Sequence, residues 1–533
     1  MNPALRDAAL RWIADDVDAS DRDELQAVLA AALAGDADAA DDLADRMAGQ
    51  LRFGTAGLRG PVRAGPNGMN RAVVVRTTSG VARWLPDGGI VLIGRDARHG
   101  SDTFAADAAG VLAAAGFDVR VFAEPLPTPV LAYAVRELGA AAGIQLTASH
   151  NPAPDNGYKL YDHTGAQIVP PADTDIETAI AAAPAAVAVP RADTWLRLPD
   201  DMLRRYLDRA ASLPRGTARG LRIALTPLHG VGGQVALDAL RLAGFTDVVV
   251  VAEQFEPDPD FGGMAFPNPE EPGACDALLA LADKADADLA VALDPDADRC
   301  AIGVRDGRQF RMLRGDETGA LLGEYVLATL DRAAHPEPLV ATTIVSSSML
   351  ASIAAAHDAD YAETLTGFKW LVRAGDGLVY ACEEALGLCV DPESVRDKDG
   401  ISAAVLAADL AASRKAAGSS VTDALAELDR AHGVHLTGQL SVRVTDLGVI
   451  GALMARLRAE PPATLAGVPV AAEDLLPDAD VLRLVGGGVR VVVRPSGTEP
   501  KLKAYLQVVR PAGTGDADAV FDRLRAEVME LLD

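Results

Sequence analysis

The sequence predicts an α/β protein built as three successive α/β domains with mixed sheets, followed by a smaller C-terminal α+β cap. Three observations predict it. At 533 residues the chain exceeds what one hydrophobic core supports, since single cores stop growing near roughly 250 to 300 residues. From about residue 71 onward, short apolar runs alternate with Ala-rich helical stretches. The C-terminal region then changes rhythm, with apolar runs following one another across glycine turns.

Taken in order, the first 50 residues read as two acidic amphipathic helices, with Leu5, Ala9, Trp12 and Ile13 marking one face. "GIVLIGRDARHG", "DVRVFAE" and "AAGIQLTASH" each run from strand into polar loop, with "SDTFAADAAGVLAAAG" as the helix between the first two. The rhythm restarts at "LRIALTPLHGVGG", "DVVVVAE" and "ADLAVALDPDADR", and again at "EPLVATTIVSSS", "ADYAETLTGFKW" and "LVYACEEALG". In such units the strand ends feed polar loops where ligands bind. Pro- and Gly-rich breaks at "AAAPAAVAVPRAD", "LPRGTARG" and "AAHPEPL" mark joints, and a further break, "AEPPATLAG", falls inside the fourth region. The expected domains are 1–208, 209–334, 335–440 and 441–533. In the last, antiparallel strands turn at Gly486 to Gly488 and "DADAVFDRLRAEVMELL" closes them as a helix.

A formal charge of −27 argues against a nucleic-acid or anionic-membrane partner, because a uniformly acidic surface repels phosphate polymers. An anionic ligand must then meet a locally basic site. The N-terminus is acidic where a signal peptide would be basic and then apolar, and no run approaches 18 apolar residues, so a cytoplasmic protein is expected. Cys275, Cys300, Cys382 and Cys389 show no CxxC or His/Cys ligand spacing and read as reduced structural thiols. Lysine is scarce: seven of the 49 basic residues, and Lys159, Lys369, Lys398, Lys501 and Lys503 fall in Gly- and Pro-punctuated polar stretches. That placement points to sites that call for a compact ammonium rather than a guanidinium.

"DPDADR" places Asp294, Asp296 and Asp298 directly after an apolar strand. Three crowded carboxylates raise one another's pKa unless a cation joins them, and a hard divalent ion such as Mg²⁺ suits oxygen ligands. An EF-hand loop is excluded, because Arg299 stands where its glycine belongs and Arg305 where its bidentate glutamate belongs. A solvated acidic turn is the remaining alternative. "RPSGTEPK" gathers Arg494, Ser496, Gly497, Thr498 and Lys501, the donors a phosphate dianion wants, against the alternative of a plain turn. "RFGTAGLRG" offers three glycines between Arg52 and Arg59, while "GFKW" and "CEEALG" offer Lys369 and a glutamate pair that includes Glu383. Ser149 follows a strand, lies beside His150 and lacks a G-x-S-x-G elbow, so a hydrolase triad fits poorly. A serine coordinated to Mg²⁺ beside a separate phosphate dock points to phosphoryl transfer; a loop-capping serine is the alternative.

Together, "TASHNP", "DPDADR", "EEALG" and "RPSGTEP", in that order, resemble the α-D-phosphohexomutase superfamily of phosphoglucomutases and phosphomannomutases, from about residue 50 to the end. The resemblance implies four domains around a central cleft, a small-molecule sugar phosphate as substrate, and a monomer or dimer. It implies that Ser149 carries the phosphoryl group, that Asp294, Asp296 and Asp298 hold Mg²⁺ against it, and that a hexose 1,6-bisphosphate is the intermediate and activator. Glu383 would contact sugar hydroxyls, and Arg494, Ser496, Gly497 and Thr498 would grip the non-transferring phosphate. Arg59, Lys159 and His150 lie where a general acid or base is sought, Lys369 where sugar orientation is read, and Arg299 matches the arginine after the metal loop. Ala385 departs from the E-x-S-x-G pattern, and "FGTAGLRG", "GFKW", "EEALG" and "VRDKDG" look more like the branch containing phosphopentomutases and some bacterial phosphomannomutases. A phosphopentomutase is therefore the runner-up; from another class, a non-catalytic sugar-phosphate-binding protein would need neither Ser149 nor the carboxylates.

Overall fold

The computed structural model describes residues 2–52, 57–199, 201–444, 447–496 and 501–532. The chain forms two compact units: Met1–Met312 with Gly387–Ala412, and Leu313–Leu386 with Ser413–Asp533.

The first unit opens with three helices, Pro3–Asp15, Ala19–Leu33 and Ala37–Arg46, where the periodicity predicts two. The break has a local cause. Gly35 takes a φ of 97°, and the Asp36 carboxylate accepts a hydrogen bond from the Ala39 amide (3.1 Å), capping a new helix. Trp12, Ile13, Leu25, Leu29 and Leu43 join the core beneath these helices, as the apolar face at Ala9, Trp12 and Ile13 predicts.

The first sheet runs Leu58–Pro61, Asp155–Asp162, Ala142–Leu146, Ile90–Arg95, Asp118–Val121, Leu196–Arg197. Ile90–Arg95 is parallel to Asp118–Val121 and to Ala142–Leu146, whereas Asp155–Asp162 returns antiparallel to Ala142–Leu146. The second sheet pairs Arg222–Thr226 in parallel with Asp247–Val250 and Leu289–Leu293, then turns back antiparallel through Cys300–Asp306. Both sheets are mixed, as expected. Ala142–Leu146 and Leu289–Leu293 are buried along their whole length, which explains the unbroken apolar run of the second and leaves the first with one polar side chain, Gln145, whose Nε2 donates to Leu126 O (3.0 Å): strands covered on both faces lose the alternation of a half-exposed sheet. Each releases its chain at the C-terminal end of a parallel strand, where ligand sites form in α/β sheets.

In the second unit, Leu339–Thr343 is parallel to Asp360–Thr364 and Leu378–Glu383. A five-stranded antiparallel sheet follows, ordered Val434–Arg443, Lys501–Arg510, Val489–Pro495, Leu482–Gly486, Ala471–Asp474. Helix Ala517–Leu532 packs Leu524, Val528 and Leu532 into its core, giving the expected α+β cap. The hairpin turns where expected, on Gly487 (φ 55°) and Gly488 (φ 75°), the left-handed pair that a two-residue turn requires.

All four cysteines are unpaired and buried, and burial pushes the Cys275 thiol up to about 12. No helix among the described residues is long and apolar enough to cross a membrane.

Candidate active site

Ser149 sits in the loop after Ala142–Leu146 with φ 54°, a left-handed conformation uncommon for a residue with a Cβ. Its amide donates to Thr147 Oγ1 (2.9 Å) and its carbonyl accepts from Arg98. Thus held, the Ser149 hydroxyl donates to Asp294 Oδ2 at 2.7 Å and lies 3.3 Å from His150 Nδ1.

Asp294, Asp296 and Asp298 are fully buried, and one oxygen from each falls within 4.8 Å of the others. The turn is tight. Ala297 takes φ 55°, and its amide and that of Arg299 donate to Asp294 O (2.8 Å) and Oδ1 (3.0 Å). Gly400 lies against it, where a Cβ would fall 2.4 Å from the Arg299 carbonyl oxygen.

The carboxylates divide their oxygens. Asp296 Oδ2 accepts from Lys159 Nζ (2.6 Å) and Thr128 Oγ1 (2.6 Å), and Asp298 Oδ2 accepts from Lys159 Nζ (2.9 Å) with Lys398 Nζ 3.2 Å away. Oδ1 of Asp296 and Oδ1 of Asp298 are buried with no hydrogen-bond partner among the described residues. Buried acceptors without donors are costly, and a cation bound by oxygens removes that cost. The donor set therefore fits a hard divalent metal, and the solvated turn is excluded by the burial.

Burial works against every charge here, so partners decide which groups ionise. Burial, reinforced by Asp296 and Asp298, holds the Asp294 carboxyl well above the usual range. Asp296 and Asp298 feel the same burial, yet Lys159 pulls both below it, with Lys398 and Arg299 adding to the pull on Asp298. Burial also disfavours the Lys159 ammonium, but the two carboxylates more than offset it and raise its pKa. His150 is pushed well below 6.5 by burial and by the Arg299 and Arg59 charges.

Two strands deliver the basic groups. Arg59 on Leu58–Pro61 stands opposite Gly157, and Lys159 lies two residues further along Asp155–Asp162, so both side chains leave the same face of the sheet. Arg59 donates to Asn151 Oδ1 at 2.8 Å, beside the serine, while Lys159 reaches the carboxylates. Arg299 Nε lies 4.0 Å from Asp298 Oδ1. The structure thus gathers Ser149, His150, Arg59, Lys159, Arg299 and the three aspartates within the first unit.

Thr128, Lys398 and Arg98 belong to the same network, although the motifs do not single them out as site residues. Thr128 begins the helix Thr128–Glu137, and its amide also donates to Asp296 O (2.9 Å). Nothing in "LPTPV" signals this, because the contact spans 168 residues of chain. Lys398 carries one signal, the scarcity of lysine. Its loop is pinned acid by acid: Asp391 to Arg209, Asp397 to Tyr161 and Gln167, and Asp399 to Tyr206.

The other expected residues lie in the second unit. Lys369 is buried in the short helix Phe368–Leu371, its ammonium 5.6 Å from the centre of the Trp370 ring. Glu383 ends Leu378–Glu383. Its neighbour Glu384 accepts from Ser346 Oγ (2.9 Å) and Thr343 Oγ1 (3.2 Å), which ties the glutamate pair to the end of the next strand. Arg494 lies near the end of Val489–Pro495, with Nη1 donating to Tyr505 Oη at 3.4 Å, and the Ser496 amide donates to Lys501 O at 2.8 Å. Gly497 and Thr498 lie outside the described residues.

A serine hydroxyl on a buried carboxylate cluster that could hold a cation, carried by α/β domains, is an arrangement that suits phosphoryl transfer. Four family models match in order: phosphoglucomutase/phosphomannomutase alpha/beta/alpha domain I (50–186), domain II (204–307), domain III (314–429) and the C-terminal domain (442–512). The "probable phosphomannomutase" of Haemophilus influenzae is 41% identical over 87% of this chain and 98% of its own. The human phosphopentomutase is 32% identical over 91% of this chain and 88% of its own. A solved structure of a phosphoglucomutase/phosphomannomutase family protein from Burkholderia thailandensis shares the fold, with a TM-score of 0.70 at 20% identity over 90% of this chain and 97% of that one. The chain belongs to the phosphoglucomutase/phosphomannomutase family. It is a phosphomutase, an isomerase by reaction class.

Proposed function

We propose that this phosphomutase moves a phosphoryl group reversibly between C1 and C6 of glucose or mannose phosphate, through a phosphoserine at Ser149 and a hexose 1,6-bisphosphate. The observation that carries the reading is the Ser149 hydroxyl 2.7 Å from Asp294, in a buried cluster where Asp296 and Asp298 each keep one oxygen without a hydrogen-bond partner among the described residues. In the first half-reaction the bond from phosphorus to Ser149 Oγ breaks while a sugar hydroxyl oxygen bonds to phosphorus and its proton leaves. In the second, the bisphosphate returns its other phosphoryl group to Oγ. Arg59, Lys159 and His150 are the groups proposed to move that proton. Mg²⁺ held by Asp294, Asp296, Asp298 and Ser149 would neutralise charge on the transferring group, which in phosphoryl transfer is most of the catalysis. Lys369, Glu383, Arg299, Arg494, Ser496, Gly497 and Thr498 are proposed to bind the sugar and its second phosphate, arginine gripping two phosphate oxygens at once.

A phosphopentomutase acting between C1 and C5 is the second reading, favoured by the human relative and by Ala385, which removes a hydroxyl that could bond a sugar. Comparing kcat/KM for glucose, mannose, ribose and deoxyribose 1-phosphates with an activating bisphosphate decides between them. A hexose should win, and a winning pentose would replace the first reading with the second.

A further inference from the structure

Arg98 makes contacts that bear on the reaction although its side chain touches none of the reacting groups. It lies in the turn after Ile90–Arg95, its side chain only 1% exposed. One guanidinium gathers four backbone carbonyls, three from the serine loop and one from the first residue of the strand that follows it. Nη2 donates to Ser149 O (2.5 Å) and Asn151 O (2.7 Å), and Nη1 donates to Pro152 O (2.8 Å) and Asp155 O (3.0 Å). Those bonds use four of the five donors that an arginine carries. The fifth, at Nε, makes no hydrogen bond among the described residues but forms an ion pair with Asp96 Oδ2 at 3.3 Å.

The clamp is itself braced. Asp96 Oδ1 accepts from the Arg98 amide (3.0 Å) and from Ser101 Oγ (2.8 Å), so the carboxylate cannot turn away. The Phe261 ring lies with its centre 4.7 Å from the guanidinium carbon, closing the other side. Next to Phe261, Asp260 Oδ1 lies 2.8 Å from His99 Nε2. Backbone carbonyls turn toward a common point only when something there donates to them all, since each needs a donor once buried. The left-handed backbone at Ser149 is the other side of this arrangement, because a residue with a Cβ keeps that conformation only where its surroundings over-determine it.

We propose that Arg98 is a positioning residue for phosphoryl transfer: by curling residues 149–155 around one guanidinium it fixes the direction of Ser149 Oγ. The inference rests on Ser149 being the phosphoryl carrier. A lysine in its place retains the charge but not the planar fork, so it can satisfy some of the carbonyls and not hold all four in register. Misplacing a reacting atom by about 1 Å costs on the order of a hundredfold in rate, without a comparable loss in binding made by other groups.

The test uses the full-length protein and the variants Arg98→Lys, Arg98→Met and Phe261→Leu. Intact-mass analysis reads phosphate on Ser149, thermal unfolding reads stability, and single-turnover transfer from the phosphorylated enzyme to sugar phosphate reads positioning. Arg98→Lys should lower kcat and the single-turnover rate about tenfold to a hundredfold, with KM changed less than about twofold. Phe261→Leu should lower the same rate in the same direction while staying folded at a somewhat lower Tm, since it trims a buried ring, and it decides the matter if the Arg98 variants fail to fold. Folded variants that transfer at the wild-type rate would overturn the proposal, as would a raised KM at unchanged kcat, which would make Arg98 a binding group. A wild-type enzyme that never carries phosphate on Ser149 while turning over substrate overturns the phosphoserine reading itself, which separates the two failures.

Discussion

The Ser149 hydroxyl meets the Asp294 carboxylate at 2.7 Å across 145 residues of chain, and the consequences of removing either side can be read one residue at a time. Ser149→Ala should abolish most turnover while leaving Tm nearly unchanged, because it removes the proposed carrier and one hydrogen bond. Intact mass should then show one phosphate on the wild type and none on the variant. Asp296→Asn should weaken Mg²⁺ binding at least about tenfold, read by calorimetric titration, since it removes an anionic ligand and also disturbs the Lys159 and Thr128 contacts. Arg494→Ala should raise KM and lower kcat together in steady-state kinetics, losing a charge-assisted contact of about 1.5–3 kcal/mol. The serine and the three aspartates are legible in the sequence because their chemistry is local, a hydroxyl in one loop and carboxylates two apart in another. Thr128 and Arg98 are not legible there: a threonine or an arginine in a loop carries no mark of the partner that folding will bring to it.

Strands and loops set tighter limits than composition suggests. Gly157, in Asp155–Asp162, passes between two backbones, and a Cβ there would fall 2.5 Å from Thr147 O and 2.7 Å from Leu58 O. Gly157→Ala should therefore push apart the strands that carry Arg59 and Lys159, costing about 1–3 kcal/mol in denaturant unfolding and lowering activity further than stability. The loop that ends at Gly400 has its own pH signature. Burial pushes the Asp399 carboxyl up to about 6 from 3.8. Between about pH 4 and pH 6 the native state retains this proton while the unfolded chain has lost it, so the contribution of Asp399 to stability falls as pH rises through that window. Asp399→Asn preserves the Oδ1 acceptor used by Tyr206, Ile401 and Ser402 and removes the charge. Its Tm should exceed that of the wild type at pH 7, and the gain should vanish at about pH 4.

For the molecule as a whole, the two compact units give metal binding a structural address, because every proposed ligand lies in the first. Mg²⁺ at about a hundred times its dissociation constant should stabilise that unit by about 2.7 kcal/mol, by linkage. Scanning calorimetry should show the transition of the first unit moving up with Mg²⁺ and returning on chelation, with that of the second unit unmoved. At this scale the sequence by itself determined a great deal: the α/β rhythm, the cap, the two glycines of its hairpin, and the motif order that places the chain in its family. These are set by short-range rules of periodicity, turn chemistry and crowded charge, which act between residues close in the chain. Tertiary structure alone decided that Lys159 and Lys398 share Asp298, that Thr128 braces Asp296, and that Arg98 gathers the serine loop. Each is a contact between residues far apart in sequence, enforced by burial in a folded core, where an unpartnered charge or carbonyl is too costly to leave.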